Sequence, residues 1–331
     1  FNDNYNLPPI SAIVYDLIPL IQQDIYLKPN PPYRDFYLSR LEYLQTIDFI
    51  FTISESAKKE ILENISFDSN NIFNIYAGCN QDFFSVEIDN EVKTPKHKKY
   101  LLYSGAGDKR KNISSLILAY SKLNIELRKQ YSLVIIGHLL QAEIDELKIQ
   151  IDTLQLDLGS IEIKGYVSDI QLKRYYQNCS LYIFPSFHEG FGLPVLEAIS
   201  CGCPVIGSNT TSIPEILSNP LALFDPYEVD SIANKISEVL SQPSLIDNLI
   251  KTGLESSKKF SWSLTANLFI ESCHLISKAS NSTYPKTEDD LYLDLNKNLN
   301  YILLEDLAYI LNRELSSITL QSISSSIAYC D

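Results

Sequence analysis

The segment 185–206 holds the residues whose chemistry stands out most, with Gly190 and Gly192 in a loop between the carboxylates Glu189 and Glu197. The glycines leave room for a ligand to approach the backbone. A helix that begins after such a loop offers free N–H groups and the positive end of its dipole, which together bind phosphate. Carboxylates repel phosphate but accept hydrogen bonds from hydroxyls, as on a sugar or a ribose. The segment therefore predicts a site for a ligand with phosphate and hydroxyl groups; a structural strand–loop–helix without a ligand is the alternative.

A second glycine loop, around Gly105, carries clustered positive charge. The apolar run 100–103 ends at this loop, and Arg110 and Lys111 follow shortly before a predicted helix at about 113–123. The chain has a formal net charge of −14, so a local concentration of cations stands out against its background. Cations beside a helix start favour phosphate. We predict that this loop binds phosphate; the alternative is a solvated basic turn.

A third candidate is Asp16, which comes directly after the apolar run 11–15. Polar residues just beyond the carboxyl ends of parallel strands are where ligands bind in open α/β sheets. Asp16 is therefore a candidate site residue, and the capping of a following helix is the alternative.

The elements that must position these residues alternate between strands and helices, which is typical of parallel α/β sheets. Strands are predicted at 11–15, 48–53, 71–76, 100–103, 131–136, 161–163, 181–184, 204–206 and 223–224. Helices are predicted at 33–44, 57–63, 113–123, 142–154, 168–178, 193–200, 211–217, 229–241 and 244–257, with a further helix after 260–263. An extended loop is predicted at 29–32 and a polar linker at 87–99. The first 90 residues supply only about three strands, half of a doubly wound domain, whereas 100–257 supply a complete one.

Composition and charge exclude several classes of function. The strong negative charge argues against nonspecific binding to nucleic acid or to an anionic membrane surface. No apolar run reaches the roughly 18 residues of a membrane span. The six cysteines form no CxxC pair and no zinc-type spacing with the four histidines, so we expect buried free thiols and no metal site. The chain has no methionine and begins as if in mid-domain, so we expect a fragment of a longer protein.

A set of motifs, in a fixed order, resembles one known family. The motifs are VYDLIPL at 14–20, FTISESAKKEI at 51–61, SGAGDKRKN at 104–112, GYVSD at 165–169, EGFGLPVLEA at 189–198, SIPEI at 212–216 and FSW at 260–262. They are similar to the retaining GT-B glycosyltransferases of glycosyltransferase family 4, above all those of bacterial polysaccharide and O-antigen synthesis. The resemblance covers roughly residues 10–275.

The resemblance implies an α/β GT-B fold in which two Rossmann-like domains face a cleft, with the amino-terminal domain incomplete. The implied boundaries are a partial N-terminal, acceptor-side domain at 1–96, a C-terminal nucleotide-sugar-binding domain at 97–257, a helix crossing back to the N-terminal domain at 258–278, and a linker with a helical tail, leading to another module, at 279–331.

The resemblance also implies roles for individual residues. Glu189 would face the donor sugar near the reacting carbon, and Glu197 would take the ribose hydroxyls. Lys111 would neutralise the donor phosphates, with Arg110 and Asp16 as the other candidate catalytic residues. The remaining implied donor-binding residues are Gly105 in the phosphate loop, Tyr166 and Val167 at the base, and the backbone of Gly190, Phe191, Gly192 and Leu193.

Two positions depart from the pattern of the family. Ala106 stands where many members have an arginine, and Arg110 is the candidate substitute. Tyr15 stands where many have a histidine before the aspartate, so the sugar-contacting role of that histidine is not carried over to this chain.

The implied function is transfer of a hexose from a nucleotide-sugar, with mannose from GDP-mannose favoured, to a growing bacterial glycan. The expected partners are the donor and a glycan or lipid-linked glycan acceptor, with no nucleic acid and at most peripheral membrane association. No metal or other cofactor is expected. The expected location is the cytoplasm or the inner face of the membrane. The alternative is a non-catalytic nucleotide-sugar-binding module of a larger polysaccharide-synthesis protein.

Overall fold

A computed structural model describes residues 9–86 and 99–279 of the chain. Its amino-terminal part contains a parallel three-stranded sheet in the order β1–β2–β3. The elements of this part are β1 (Ser11–Val14), α1 (Ile18–Ile21), α2 (Gln23–Tyr26), α3 (Pro31–Leu44), β2 (Phe49–Thr52), α4 (Glu55–Asn64) and β3 (Ile72–Asn74).

The second sheet has six parallel strands in the order β6–β5–β4–β7–β8–β9. Its elements begin with β4 (Lys99–Ser104), α5 (Ile113–Lys122), α6 (Ile125–Gln130), β5 (Tyr131–Ile136), α7 (Gln141–Thr153), β6 (Ile161–Gly165), α8 (Asp169–Asn178) and β7 (Leu181–Phe184). They continue with α9 (Leu193–Ser200), β8 (Val205–Ser208), α10 (Ile213–Leu217), β9 (Leu223–Phe224), α11 (Val229–Ser241), α12 (Pro243–Ser257) and α13 (Trp262–Ala279).

The central strands of the larger sheet are buried along most of their length because helices cover both faces. Every residue of β5 and of β7 is buried. Because β4 and β7 are neighbours in this sheet, the loop after β4 lies beside the loop after β7. Both loops therefore meet at one edge of the sheet, where the strands have their carboxyl ends.

The two sheets belong to one compact unit that extends to Ser272, and the segment after α12 joins them. Gln81 Nε2 donates to the carbonyls of Ser257 at 2.6 Å and Phe260 at 2.9 Å. Phe269 on α13 lies with its ring centroid 4.7 Å from that of Phe51 on β2. The chain thus returns from the larger sheet to the smaller one.

The predicted α/β architecture with parallel sheets is confirmed, and most predicted elements end within two residues of the observed ones. The prediction of an extended loop at 29–32 is wrong at its end, because α3 already begins at Pro31. Asn30 caps this helix by accepting from the N–H of Tyr33 at 3.3 Å, and proline is well suited to the first helical turn. Most of the predicted linker 87–99 and nearly all of the predicted tail 279–331 lie outside the described residues.

Candidate active site

The loops after β4 and β7 bring Glu189 against two cations. The Lys111 Nζ lies 2.6 Å from Glu189 Oε1, and the Arg110 Nη1 lies 2.8 Å from Glu189 Oε2. The same Arg110 nitrogen also donates to the carbonyl of His188 at 2.9 Å. Glu189 is only 6% exposed. Three of the predicted catalytic residues therefore form one buried ionic cluster.

Burial and the neighbouring charges have opposing effects on the pKa of each group in the cluster. Burial alone would raise the pKa of Glu189, but Lys111 and Arg110 outweigh burial and hold that pKa below its ordinary value. Burial lowers the pKa of Lys111, and the attraction of Glu189 opposes this effect. For Arg110, the attraction of Glu189 outweighs burial and raises the pKa. Glu189 is thus a carboxylate at neutral pH, held between two charged partners.

The backbone after Glu189 presents unused donors. The carbonyls of Glu189 and Phe191 both accept from the Ser212 hydroxyl, at 3.0 and 2.5 Å, which fixes the loop. Among residues 9–86 and 99–279, none accepts a hydrogen bond from the backbone N–H groups of Phe191, Gly192 and Leu193. These groups lie at the amino end of α9, where the helix dipole favours an anion.

Glu197 lies further along α9 and has different surroundings. Its Oε2 accepts from the Tyr176 hydroxyl at 3.3 Å. Tyr176 is fully buried, and its oxygen also shares a hydrogen bond with Ser104 at 2.8 Å. Glu197 thus accepts a hydrogen bond from a buried tyrosine, whereas Glu189 pairs with two cations.

Asp16 reaches the site from the smaller sheet. Its Oδ1 accepts from the N–H of Ile18, the first residue of α1, at 3.0 Å, but the N-cap position of that helix is Leu17 and has no side-chain cap, so Asp16 is not its capping residue. A Cβ added to Gly190 would lie 2.8 Å from Asp16 Oδ2 and 2.8 Å from the carbonyl oxygen of Tyr15. Burial raises the pKa of Asp16, with the hydrogen bond from Ile18 acting against it. Asp16 thus lies next to the loop of Glu189 while its carboxylate hydrogen-bonds the start of α1.

A buried chain of hydrogen bonds ties the neighbours of Glu189 and Asp16 together. His188 Nε2 lies 2.6 Å from Glu60 Oε1, and Glu60 Oε2 accepts from the N–H of Leu17 at 3.1 Å. His188 precedes Glu189 in the chain, and Leu17 follows Asp16. The pair was not predicted from the sequence, which offers no local signal for a contact between residues 128 positions apart.

The amino end of α4 forms a second unpredicted connection between the two sheets. The Ser54 hydroxyl donates to the carbonyl of Gly190 at 2.6 Å. The Glu215 carboxylate, on α10, accepts from the backbone N–H groups of Glu55 at 2.9 Å and Ser56 at 2.8 Å. A side chain of one half thus satisfies the free donors of a helix in the other half.

Replacement of Glu215 by alanine is expected to lower the free energy of unfolding by about 1–2 kcal/mol, because two helix N–H groups lose their acceptors. Urea unfolding followed by circular dichroism measures this change. Glu255→Ala on the exposed side of α12 is the matched control and should stay within about 0.5 kcal/mol of the unmodified chain. Equal stability of the two variants would contradict a capping role for Glu215.

Three predicted donor-binding residues lie apart from the ionic cluster. Tyr166 and Val167 follow β6, the outermost strand, and Tyr166 is 77% exposed. Two strand spacings separate β6 from β4, about 10 Å in all. The N–H of Gly105 donates to the carbonyl of Ile136 at 2.9 Å, which fixes the start of the phosphate loop on β5. Their contact with a nucleotide stays a prediction.

Other features bear on metals, membranes and thiols. Within the described ranges no three His, Cys, Asp or Glu side chains gather as ligands for a metal ion. No helix in that part of the chain is both long and apolar enough to cross a membrane. The cysteines that the structure describes are free thiols, all buried except the half-buried Cys273; Cys330 lies outside the described residues.

Comparison with known proteins identifies the family. The model of the family "Glycosyl transferases group 1" matches residues 85–256, just over half of the chain. This chain is a group 1 glycosyl transferase. The match includes both loops of the ionic cluster, and the predicted membership of glycosyltransferase family 4 is confirmed.

Two relatives of this group 1 glycosyl transferase come from Escherichia coli. The serotype-specific mannosyltransferase WbdA is 33% identical over 278 residues, which are 82% of this chain and 34% of the relative. The O-antigen chain mannosyltransferase B is 33% identical over 228 residues, 67% of this chain and 59% of the relative. The chain thus spans about a third of WbdA and is homologous to O-antigen mannosyltransferases.

Solved structures confirm the GT-B fold of this group 1 glycosyl transferase. The sucrose-phosphate synthase from Thermosynechococcus elongatus superposes with a TM-score of 0.69 at 20% identity, covering 81% of this chain and 68% of the synthase. Anabaena HepE in complex with UDP and glucose superposes with a TM-score of 0.64 at 16% identity, covering 81% of this chain and 71% of HepE.

Proposed function

We propose that this chain binds a nucleotide-sugar and transfers its hexose to a glycan with retention of the anomeric configuration. The observation that carries the proposal is the cluster of Glu189, Lys111 and Arg110, together with the backbone N–H groups of residues 191–193 at the amino end of α9. Cations and oriented N–H groups in one place stabilise a diphosphate, and Glu189 limits the repulsion between the two cations while no anion is bound.

The proposed reaction breaks the bond between the sugar and the diphosphate. Negative charge then grows on the leaving phosphate oxygen, where Lys111, Arg110 and the amino end of α9 stabilise it. In front-face attack, that same oxygen helps to take the proton from the acceptor hydroxyl as the new glycosidic bond forms. Most of the catalytic effect then comes from holding the donor and the acceptor in the right orientation.

The roles of the carboxylates follow from their surroundings. Glu189 is ionised and lies beside the phosphate-binding cations, so it orients Lys111 and Arg110 and reaches the hydroxyls of the donor sugar. Glu197, bound to Tyr176 instead, accepts hydrogen bonds from the ribose. Asp16 approaches from the acceptor-side half and contacts the sugar at the edge next to Gly190.

Mannose from GDP-mannose is the donor that we favour. The support comes from the relatives, since WbdA and the O-antigen chain mannosyltransferase B carry mannosyl transfer in their names. The acceptor is then a growing glycan, free or lipid-linked, at the cytoplasmic face of the membrane. This proposal requires neither a metal ion nor another cofactor, because the protein itself supplies the cations.

A thermal-shift series with GDP, UDP and ADP tests the nucleotide. A ligand at a hundred times its dissociation constant stabilises the folded chain by about 2.7 kcal/mol, which raises the melting temperature by several degrees. We expect GDP to give the largest shift and GDP-mannose a similar one. A larger shift with UDP or ADP would contradict the choice of donor, and no shift with any of them would contradict nucleotide binding.

Turnover separates the enzyme from a non-catalytic binding module. We expect release of GDP from GDP-mannose, faster when an α-mannoside acceptor is present, measured with a coupled assay. Tight binding of GDP without turnover of any donor would favour the non-catalytic alternative.

A further inference from the structure

Three buried hydroxyl groups form a network that ends at Glu197. The Tyr182 hydroxyl on β7 lies 3.0 Å from Ser104 Oγ at the end of β4, and Ser104 Oγ lies 2.8 Å from the Tyr176 hydroxyl on α8. The Tyr176 hydroxyl in turn donates to Glu197 Oε2 at 3.3 Å. We call Tyr182, Ser104 and Tyr176 the hydroxyl network. It joins the core of the larger sheet to the carboxylate that we assign to the ribose of the donor.

The protons of the hydroxyl network can all point towards Glu197. Burial raises the pKa of Tyr176 and of Tyr182, so both phenols keep their protons at neutral pH. A carboxylate only accepts hydrogen bonds, so the proton of the last bond comes from Tyr176. When Tyr182 donates to Ser104 and Ser104 donates to Tyr176, each of the three protons is used and each bond polarises the next. Glu197 then meets a donor that the core orients.

The rings that carry these hydroxyls are fixed by packing. Tyr176 and Tyr182 are fully buried, and Ser104 is 4% exposed. The Tyr176 ring packs edge to face against Tyr182, with centroids 5.3 Å apart, and against Phe84, with centroids 6.3 Å apart. Such rings cannot turn without moving the close-packed core, so the Tyr176 oxygen keeps its place. Glu197 itself is only half-buried, which leaves its carboxylate accessible to a ligand.

The position of the hydroxyl network argues for a role beyond packing. A buried hydroxyl costs free energy unless it is hydrogen-bonded, and phenylalanine or alanine would fill nearly the same volumes without that cost. Together the three hydroxyls supply one oriented donor at a carboxylate of the proposed donor site. A carboxylate has about four lone-pair positions on its two oxygens. Tyr176 occupies one of them and leaves room for both hydroxyls of a ribose.

We propose that Tyr176, supported by Ser104 and Tyr182, is a positioning residue that holds Glu197 in the orientation needed to select a ribonucleotide over a deoxyribonucleotide donor. The inference rests on the function proposed above, because it concerns how the ribose of the donor is recognised. Tyr176 is fully buried, so it acts through Glu197 and not on the nucleotide itself. At 3.3 Å the bond is longer than the usual length of about 2.5–3.0 Å, so we expect a change of several-fold in affinity.

The test compares two nucleotides that differ only in the ribose hydroxyls. Dissociation constants of GDP and 2′,3′-dideoxy-GDP are measured by isothermal titration calorimetry for the 331-residue chain and for Tyr176→Phe, which loses the hydroxyl but keeps the ring. We expect the unmodified chain to prefer GDP at least about tenfold, and Tyr176→Phe to reduce this preference at least about threefold through weaker binding of GDP alone. The corresponding uridine nucleotides are measured in parallel, and the preference is taken from the base that binds more tightly. An unchanged preference in Tyr176→Phe would overturn the proposal.

Tyr100→Phe is the matched control for Tyr176→Phe. The Tyr100 hydroxyl donates to the carbonyl of Tyr175 at 3.0 Å, so this bond also joins β4 to α8 but ends at the backbone instead of at Glu197. A change that only loosens α8 would weaken the binding of both nucleotides alike. We expect Tyr100→Phe to keep the preference of the unmodified chain. A fall in preference as large as that of Tyr176→Phe would show a merely structural effect and overturn the proposal.

Glu197→Gln tests whether Tyr176 acts through the carboxylate. We expect Glu197→Gln to lower the preference for GDP on its own, and Tyr176→Phe to have no further effect in that background, because the two residues share one interaction. Additive losses in the double variant would overturn the positioning role of Tyr176.

The same measurements keep this proposal apart from the proposed function. Absence of binding of all four nucleotides to the unmodified chain would contradict the proposed function, and the role of Tyr176 would fall with it. Binding of GDP and dideoxy-GDP with equal affinity would overturn the ribose assignment of Glu197 and the role of Tyr176, but not phosphate binding by the ionic cluster.

Tyr182→Phe provides the test if Tyr176→Phe fails to fold. This change removes the hydroxyl that donates to Ser104, so Ser104 can accept from Tyr176 and draw that proton away from Glu197. We expect the preference for GDP to fall by about twofold, less than in Tyr176→Phe, because the lost bond is further from the carboxylate. An unchanged preference in Tyr182→Phe would overturn the role of the hydroxyl network.

Discussion

Replacement of Glu189 by glutamine is expected to lower the rate of sugar transfer at least about a hundredfold. The amide has nearly the same shape, but it leaves Lys111 and Arg110 without their shared counter-charge in a buried place. The same change is expected to lower the free energy of unfolding by about 3 kcal/mol, because breaking a buried ion pair leaves uncompensated charge. Turnover of GDP-mannose per folded molecule, with the folded fraction from circular dichroism, measures the effect.

Glu162→Gln is the matched control for this prediction. Glu162 also pairs with a lysine, Lys164, at 2.5 Å, but both side chains are about 40% exposed. Exposed pairs contribute little, so we expect turnover and stability close to those of the unmodified chain. Comparable turnover in Glu162→Gln and Glu189→Gln, with both variants folded, would rule out the proposed role of Glu189.

The difference in unfolding free energy between the unmodified chain and Glu189→Gln is also expected to depend on pH. The pKa of this carboxyl is lower in the folded chain than its ordinary value of 4.5. A lowered pKa means that the stabilisation is present above the ordinary value and is lost as the pH falls through the folded-state value. The gap in unfolding free energy between the unmodified chain and Glu189→Gln should therefore be constant between about pH 6 and 8 and narrow below about pH 4.5. A gap that widens on acidification would contradict the ion pairs.

Replacement of Gly190 by alanine is expected to have the second largest effect on transfer, a loss of at least about tenfold. The added Cβ would lie 2.8 Å from both Asp16 Oδ2 and the Tyr15 carbonyl oxygen, which is closer than real contacts allow. The two halves must therefore move apart at this point or the loop must shift. Because Glu189 precedes Gly190, either response displaces the ionic cluster from Asp16. Donor turnover and the KM for GDP-mannose measure the result.

Gly159→Ala is the matched control for Gly190→Ala. Gly159 has a positive φ of 77°, but a Cβ there would meet no atom within 4 Å. We expect a loss of stability of about 1 kcal/mol from the left-handed backbone and no loss of turnover per folded molecule. If Gly190→Ala behaves in the same way, the close approach to Asp16 has no role in transfer.

The fold could be predicted where local signals were strong. The helix α9 begins and ends where it was predicted because Gly192, Pro194 and Gly202 mark its ends. The buried strand β5 was predicted from its apolar run, which only Ser132 interrupts. The helices α1 and α2 were missed because four residues are too few to show a helical period.

The candidate site could be predicted in part. The side chains of Glu189, Lys111 and Arg110 were recognised by type and by family resemblance, but their contact depends on β4 lying next to β7. Strand order is a property of the whole sheet and leaves no trace in either motif. The pair of His188 and Glu60 was missed for the same reason, since each residue alone is an ordinary polar side chain.

The hydrogen bonds between the halves have a consequence for protein engineering. Ser54 with Gly190, Glu215 with the start of α4, and Glu60 with His188 each join a residue of one half to a residue of the other. A chimera that grafts the amino-terminal half of one family member onto the carboxyl-terminal half of another would break all three connections unless both sides of each match. Attempts to exchange donor or acceptor specificity by swapping halves should therefore transplant these residues as pairs.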